Sequence, residues 1–255
     1  MNIVVAIKQI PNIADELELN DAGTNLDFDS VDFVLNEFDE HAIEQAVLIK
    51  ESGGGQVTVV GVDLLDELDG VLHTALAKGA DKVAKVVGDF EPGMDSHTQA
   101  FLLAEAVKDL SPDIILTGVQ AADDRDGQIG PMLAAHLDIP YVGVVTGVTA
   151  ANGTARVHKE YSGGLMAEFE VSLPMVVGVQ AASQPPRYAP VSKVRQLAKT
   201  ATVEEIEADG GGGGAGSTLR KMSSPVSAGH AEMIEGGAAV VAEKIIQILK
   251  ERGLA

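Results

Sequence analysis

The stretch SPDIILTGVQAADDRDGQIGPMLAAHL, residues 111–137, sets a strand-length apolar run, a polar loop and a helix in immediate succession. Ile114 to Val119 is the apolar run and Gln120 to Gly127 is the loop. Gln128 to Leu137 has helical composition, with Ile129, Met132, Leu133 and Leu137 on one face. Pro131 is tolerated in a first helical turn, where its missing N–H is not needed. A strand, a glycine-containing loop and a helix N-terminus together direct free N–H groups and the positive end of the helix dipole outward, which suits an anion. The loop matches neither a P-loop nor GxGxxG, and it carries Asp123, Asp124 and Asp126. These carboxylates would repel a phosphate unless they turn to ribose hydroxyls or water, and Arg125 could offset part of their charge. On these residues alone, a nucleotide-phosphate site and an ordinary surface loop both stand.

Working outward, the same alternation repeats. Ile3 to Ile7, Val57 to Val62 and Val83 to Val87 are continuous apolar strands. Between them lie helices from Asn36 onward, from Leu68 to Ala80 and from Ser96 to Leu110. The first has Asn36 or Asp39 as its cap and an apolar stripe of Ala42, Ile43, Ala46, Val47 and Ile49. Asp95 or Ser96 caps the third. Strands apolar throughout, alternating with helices, imply a parallel sheet covered on both faces. Beyond Tyr141 the pattern changes. Val142 to Thr149 and Thr154 to Tyr161 flank Asn152-Gly153, the signature of a type I′ hairpin. Leu165 to Val171 and Met175 to Val179 are further strands. The expected fold is α/β: a parallel-core sheet flanked by helices, with added antiparallel hairpin strands and a C-terminal arm.

The arm begins after Gln184-Pro185-Pro186-Arg187-Tyr188-Ala189-Pro190, which breaks regular structure. Lys193 to Ala201 is helical in pattern and basic, Glu204 to Asp209 is acidic, and Gly210 to Gly214 reads as a flexible linker. Ala238 to Arg252 is an amphipathic helix with Val241, Ile245, Ile246, Ile248 and Leu249 on its apolar side. It either packs on its own sheet or docks on another subunit. The domain reading is a nucleotide-binding body over residues 1–190, a docking segment over 180–201, and a linker and arm over 202–255.

Acidic residues number 38 against 18 basic, a formal charge of −20 on 255 residues. Nucleic acid and anionic membranes both require a basic face, so neither is an expected partner. The acidity fits either an ordinary acidic protein or adaptation to high salt, where charge is screened. No run reaches membrane-spanning length and no signal pattern opens the chain, so the expected location is cytoplasmic. Cysteine is absent, which removes disulfides and thiolate chemistry. His41, His73, His97, His136, His158 and His230 show no metal-ligand spacing. No HExxH, GxSxG or triad order occurs, so no catalytic group and no metal are expected.

Several stretches together resemble the beta subunits of electron transfer flavoproteins. They are IVVAIKQIP from Ile3, NEFDEHAIEQAVLIKE from Asn36, ALAKGADKV from Ala75, GVQAADDRDGQIGPMLA from Gly118, KEYSGGLMAEFEVSLPMVV from Lys159, QPPRYAP from Gln184 and MIEGGAAVVAEKIIQIL from Met233. Each alone is weak, but their order and spacing are specific. The resemblance implies a Rossmann-like, adenine-nucleotide-binding fold and a heterodimer. The redox FAD would sit in an alpha subunit and an AMP in this one. The pair would carry electrons from flavin dehydrogenases, such as acyl-CoA dehydrogenases, toward a quinone-linked or other acceptor, without substrate turnover in this chain. The nucleotide site carried over comprises Ala6, Asn36, Glu37, Phe38, Asp39 and Val62. It continues through Gly118, Val119, Gln120, Ala121, Ala122, Asp123, Asp124, Arg125, Asp126, Gly127, Gln128 and Ile129. Backbone N–H groups of Gly127, Gln128 and Ile129 would hold the phosphate.

The docking segment corresponds to about Gln180 to Ala201, with Pro186, Arg187, Tyr188 and Val191, the last at the position of a protruding leucine anchor. Three departures stand out: Ser162 where an acid is expected, the loop AADDRDGQ, and the five-glycine linker. Some relatives place a second FAD at the AMP position and oxidise NADH, preferring threonine where Asp126 stands. A non-redox, stress-type nucleotide-binding protein is the alternative from another class.

Overall fold

The computed structural model describes residues 1–90, 93–209, 219–224, 231 and 233–254. It divides into two units, Met1–Met222 and Ser223–Ala255. The glycine run Gly210–Gly214 lies outside the described residues.

In the first unit β1 (Asn2–Ile7) leads through β2 (Gln9–Pro11) and β3 (Phe33–Leu35), a small antiparallel pair, into α1 (Glu37–Gly53). Then come β4 (Gln56–Val62), α2 (Asp69–Lys78), β5 (Lys82–Val87), α3 (Ser96–Lys108), β6 (Ile114–Gly118) and α4 (Ile129–Leu137). The chain continues through β7 (Tyr141–Ala151), β8 (Thr154–Tyr161), β9 (Leu165–Ser172), β10 (Met175–Val179), α5 (Val191–Thr200) and β11 (Glu204–Glu207). One nine-stranded sheet results, in the order β11-β5-β4-β1-β6-β10-β7-β8-β9. From β11 to β7 every neighbouring pair is parallel, and β7-β8-β9 is antiparallel.

The pleat of β1 explains why its run is apolar throughout. Ile3, Val5 and Ile7 pack on one face with Ile43, Val47 and Leu72 of α1 and α2. Val4 and Ala6 pack on the other with Leu102, Leu103, Leu133 and Ala134 of α3 and α4. Alternate residues point to opposite faces, so a strand between two helical layers must be apolar at every position. Asp95 caps α3 by accepting the Thr98 N–H at 2.9 Å. Asn152 and Gly153 take φ of 53° and 78°, as the hairpin turn requires.

Three local expectations are revised. Met175–Val179 does not extend the antiparallel end of the sheet; β10 inserts between β6 and β7, parallel to both. The β8-β9 excursion takes the chain out and back, so β10 re-enters in the direction of the core. Glu204–Glu207 pairs with β5 as the outer strand, although nothing in its acidic composition indicates one. An exposed edge tolerates charges that discourage further pairing. Finally, Asn36 is the residue before α1, yet neither its side chain nor that of Asp39 caps the helix. Both are used elsewhere, as described below.

In the second unit α6 (Ala238–Glu251) covers most of the helix expected there, and none of its residues is buried.

Candidate nucleotide site

Strand order places the site. The chain steps from β1 to β4 and β5 on one side, then crosses to β6 on the other. Between β1 and β6 the winding reverses, and the carboxyl ends of those strands diverge into a crevice, the general place for ligands in open α/β sheets. The crevice here is narrow, with about 30 Å³ of internal free volume. Ala6 and Ile7 line it from β1 with Lys8 directly after, Thr117 to Ala121 from β6 and its loop, and Gly127 to Ile129 from the start of α4. Asn36 and Asp39 close it from α1, and Gln99 and Leu103 from α3.

Asp39 holds the two strand ends together. Its Oδ2 accepts the Lys8 N–H at 2.8 Å and its Oδ1 accepts the Gly118 N–H at 2.7 Å. Burial pushes the Asp39 carboxyl up to about 7, against the donors and the Lys8 charge that favour its ionised form. Gly118 is required for this approach. A Cβ on it would lie 2.8 Å from Phe38 Cβ, 3.0 Å from the Asp39 N and closer still to Asp39 Oδ1. Asn36 donates from Nδ2 to the Gln120 carbonyl at 2.9 Å, tying the loop to α1.

Part of the acidic loop's charge is offset by Lys8, which the sequence reading did not single out. Its Nζ lies 2.8 Å from Asp123 and also bonds Asp124. Burial acts to lower the Lys8 pKa, but these two carboxylates more than reverse it and raise it. Arg125 lines neither this crevice nor the one beside it. Asp126 accepts the Ser96 hydroxyl at 2.7 Å and the Gln128 N–H at 3.0 Å. One of the three N–H groups expected to hold a phosphate is therefore engaged by the chain's own carboxylate.

Two polar atoms at the crevice are buried without a partner: Asn36 Oδ1 and Thr117 Oγ1. A buried polar group left unpaired costs about 1–3 kcal/mol, so such atoms mark where a ligand would complete the hydrogen bonding. An adenine or ribose edge offers both donors and acceptors of this kind.

The family model for the electron transfer flavoprotein domain matches residues 25–210 of this chain. The chain belongs to the electron transfer flavoprotein family. Similar relatives include the electron transfer flavoprotein subunit beta of Methylophilus methylotrophus, 34% identical over 98% of each chain. The subunit beta of Syntrophomonas wolfei is 37% identical, covering 74% of this chain and 73% of that protein. The protein FixA of Azorhizobium caulinodans is 28% identical, covering 99% of this chain and 95% of its own. This membership supports an electron-transfer role rather than a non-redox one, and subunit naming implies an alpha-subunit partner. Among the described residues, no helix is long and apolar enough to cross a membrane.

Of the residues the resemblance points to, Ala6, Asn36, Asp39, Gly118 to Ala121, Asp124 and Asp126 to Ile129 meet in the crevice. Val62 and Asp123 line a wider adjoining cleft of about 440 Å³, with Leu26, Phe28, Phe33 and Leu64. Glu37, Phe38, Ala122 and Arg125 line neither, though Phe38 abuts Gly118. Lys8, Thr117, Gln99 and Leu103 were missed. The first two directly continue or end apolar strands, which is the signal that could have found them.

The segment after β10 is fastened along α1. Ala182 N–H donates to His41 Nδ1 at 3.2 Å, and Ser183 donates to Gln45 Oε1 from its N–H at 3.0 Å and its hydroxyl at 2.9 Å. Arg187 grips the buried Glu44 from Nε and Nη2 at 2.9 Å each, and Glu51 from Nη1 at 2.8 Å. These carboxylates raise the Arg187 pKa. Arg187 is thus a strut rather than a free contact. Pro186 is half-buried, while Tyr188 and Val191 are 79% and 57% exposed. Val191 begins α5 rather than sitting in a loop.

Proposed function

We propose that this chain is the beta subunit of a heterodimeric electron transfer flavoprotein and that it holds an AMP in the β1/β6 crevice. The observation that carries the nucleotide reading is the pair of unpartnered buried atoms, Asn36 Oδ1 and Thr117 Oγ1, at a crevice ending on the N-terminus of α4. Ala6 and Asn36 would bound the base. The N–H groups of Gly127 and Ile129 would meet the phosphate, with Asp126 turned onto Gln128 and Ser96. Lys8 offsets half of the charge on Asp123 and Asp124, which lowers their repulsion of an anion nearby.

The FAD that supplies the redox chemistry would belong to the alpha subunit. This chain's part is to bind, orient and dock, without turnover of its own. We assign to the alpha subunit two separate sets of apolar residues: in the first unit the exposed Tyr161, Leu165, Met166 and Phe169 around the β8-β9 turn, and in the second the unburied apolar residues of α6. Such apolar surface on a soluble chain marks a partner. Tyr188 and Val191 would dock flavin dehydrogenases, acyl-CoA dehydrogenases among them, with electrons passing on to a quinone-linked or other acceptor.

A second reading has one observation in its favour. The adjoining cleft, with Phe28 and Phe33 among its lining, could extend the nucleotide site to FAD, as in relatives that oxidise NADH. The nucleotide released from the denatured, purified chain decides. AMP at roughly one per chain supports the first reading. FAD from this subunit, or two flavins per heterodimer, would replace it with the second. No released nucleotide would sink both.

A further inference from the structure

The chain's longest acid-free stretch carries most of a small basic cluster. Between Glu170 and Glu204 there is no acidic residue, whereas Arg187, Lys193, Arg195 and Lys199 all fall there. Their roles divide. Arg187 is spent on Glu44 and Glu51, and Lys193 donates to the Ala77 carbonyl at 2.8 Å, pinning α5 to α2. Val194 and Leu197 are half-buried on the packed side of α5. Val191, Arg195 and Lys199, spaced i, i+4 and i+8, form one outward stripe with Tyr188 beside it, and all four are exposed. Among the described residues neither Arg195 nor Lys199 makes an ion pair, while Lys8, Lys50, Lys78 and Lys85 each pair with internal carboxylates.

We propose that the Tyr188–Val191–Arg195–Lys199 face of α5 is built for an acidic protein partner, one whose apolar pocket is rimmed by carboxylates. The proposal rests on the reading of this segment as the docking site for electron-donating dehydrogenases, and adds the charge that selects them. At −20 the chain repels an acidic protein from most approaches, and an acid-free helical face with two unpaired cations favours encounter through it. Tyr188 and Val191 then supply apolar contact of short range, and Arg195 a residue type enriched at binding hot spots. Complementary rim charges act chiefly on the association rate and its salt dependence. Two cations in an acidic chain are too few for a nucleic acid or membrane surface, which ask for a broad basic footprint.

The test uses the heterodimer with its alpha subunit and an acyl-CoA dehydrogenase, reduced by its acyl-CoA substrate, as donor. Stopped-flow flavin reduction gives the second-order rate at low and high ionic strength and the limiting rate at saturating donor. The double variant Arg195→Glu/Lys199→Glu should lower the low-salt second-order rate by about 10-fold or more and flatten its salt dependence. Its limiting rate should be unchanged, and Arg195→Gln/Lys199→Gln should fall between. The Gln pair also serves as the test if the reversed pair fails to assemble with alpha. If Tyr188→Ala and Val191→Ala slow transfer but neither charge variant does, the charge proposal is overturned and the docking reading survives. If none of the four slows it, the docking reading falls and this proposal with it.

Discussion

Substituting Gly118 by alanine tests the geometry on which the crevice depends. Gly118 ends β6, and its φ is not in the left-handed region, so alanine is conformationally acceptable there. Any cost is therefore steric. The added Cβ would meet Phe38 Cβ at 2.8 Å, the Asp39 N at 3.0 Å and Asp39 Oδ1. None of these is the loose end of a long side chain. Two belong to the first turn of α1, and the third is the atom that accepts the Gly118 N–H at 2.7 Å. Relief requires α1 to lift from β6 or that bond to break. Overpacking a close-packed site costs about 1–3 kcal/mol. A hydrogen bond to a charged acceptor is worth about 1.5–3 kcal/mol. The two are one distortion and do not simply add, so the expected loss is roughly 3–5 kcal/mol, a large part of a typical ~5–15 kcal/mol stability. Urea unfolding should show a lower midpoint at constant slope. AMP should be released more readily, since the same residues line the crevice. Gly70→Ala, in α2 with nothing within 4 Å of its added Cβ, is the control and should gain about 0.5–1 kcal/mol. A Gly118→Ala loss under about 1 kcal/mol would show that α1 is not held against β6 in this way.

Three further outcomes are expected. Asp39, ionising near 7 when folded and near 4 when unfolded, contributes stability that is fully present below about pH 4 and is lost as pH rises to about 7. Asp39→Asn has no such dependence, so its stability relative to the parent chain should climb by about 4 kcal/mol across that window and then level off, on top of a constant offset from its changed donors. A pH-independent difference by denaturant titration would contradict the buried ionisation. Arg187→Ala leaves Glu44 buried without its partner and should cost about 3 kcal/mol. Arg187→Lys should recover only part, lacking the planar fork, and proteolysis should cut first within residues 180–190; resistance equal to the parent would show that the strut is dispensable. Ending the chain at Asp209 keeps all nine strands of the main sheet. We expect a folded, nucleotide-binding core by circular dichroism melting that no longer retains the alpha subunit in a pull-down, and retention by a folded core would refute the role given to the arm.

Much of the architecture was legible in the residues themselves. Apolar runs at Ile3, Val57, Val83 and Ile114 declared buried parallel strands because a strand covered on both faces has no polar side to show. Asn152-Gly153 declared its turn because two successive positive φ values exclude most other pairs. The strand-loop-helix of residues 111–137 appears where the sequence placed it, with Pro131 in the first turn of α4. Each of these signals is local, since period, turn chemistry and capping act over a few neighbouring residues.

What tertiary structure alone decided is which distant groups meet. Lys8 pairs with Asp123 and Asp124 from 115 and 116 residues away, so the loop that reads as repulsive to a phosphate is partly offset by a lysine directly after β1. Asp39, which reads as a helix cap, instead joins the Lys8 and Gly118 N–H groups, because α1 starts at the point where the ends of β1 and β6 part. Arg187, which reads as a docking contact, is bound to Glu44 143 residues away. In each case a charged side chain has several partners open to it by chemistry. Strand order and the winding reversal between β1 and β6 choose among them, and no local pattern encodes that order.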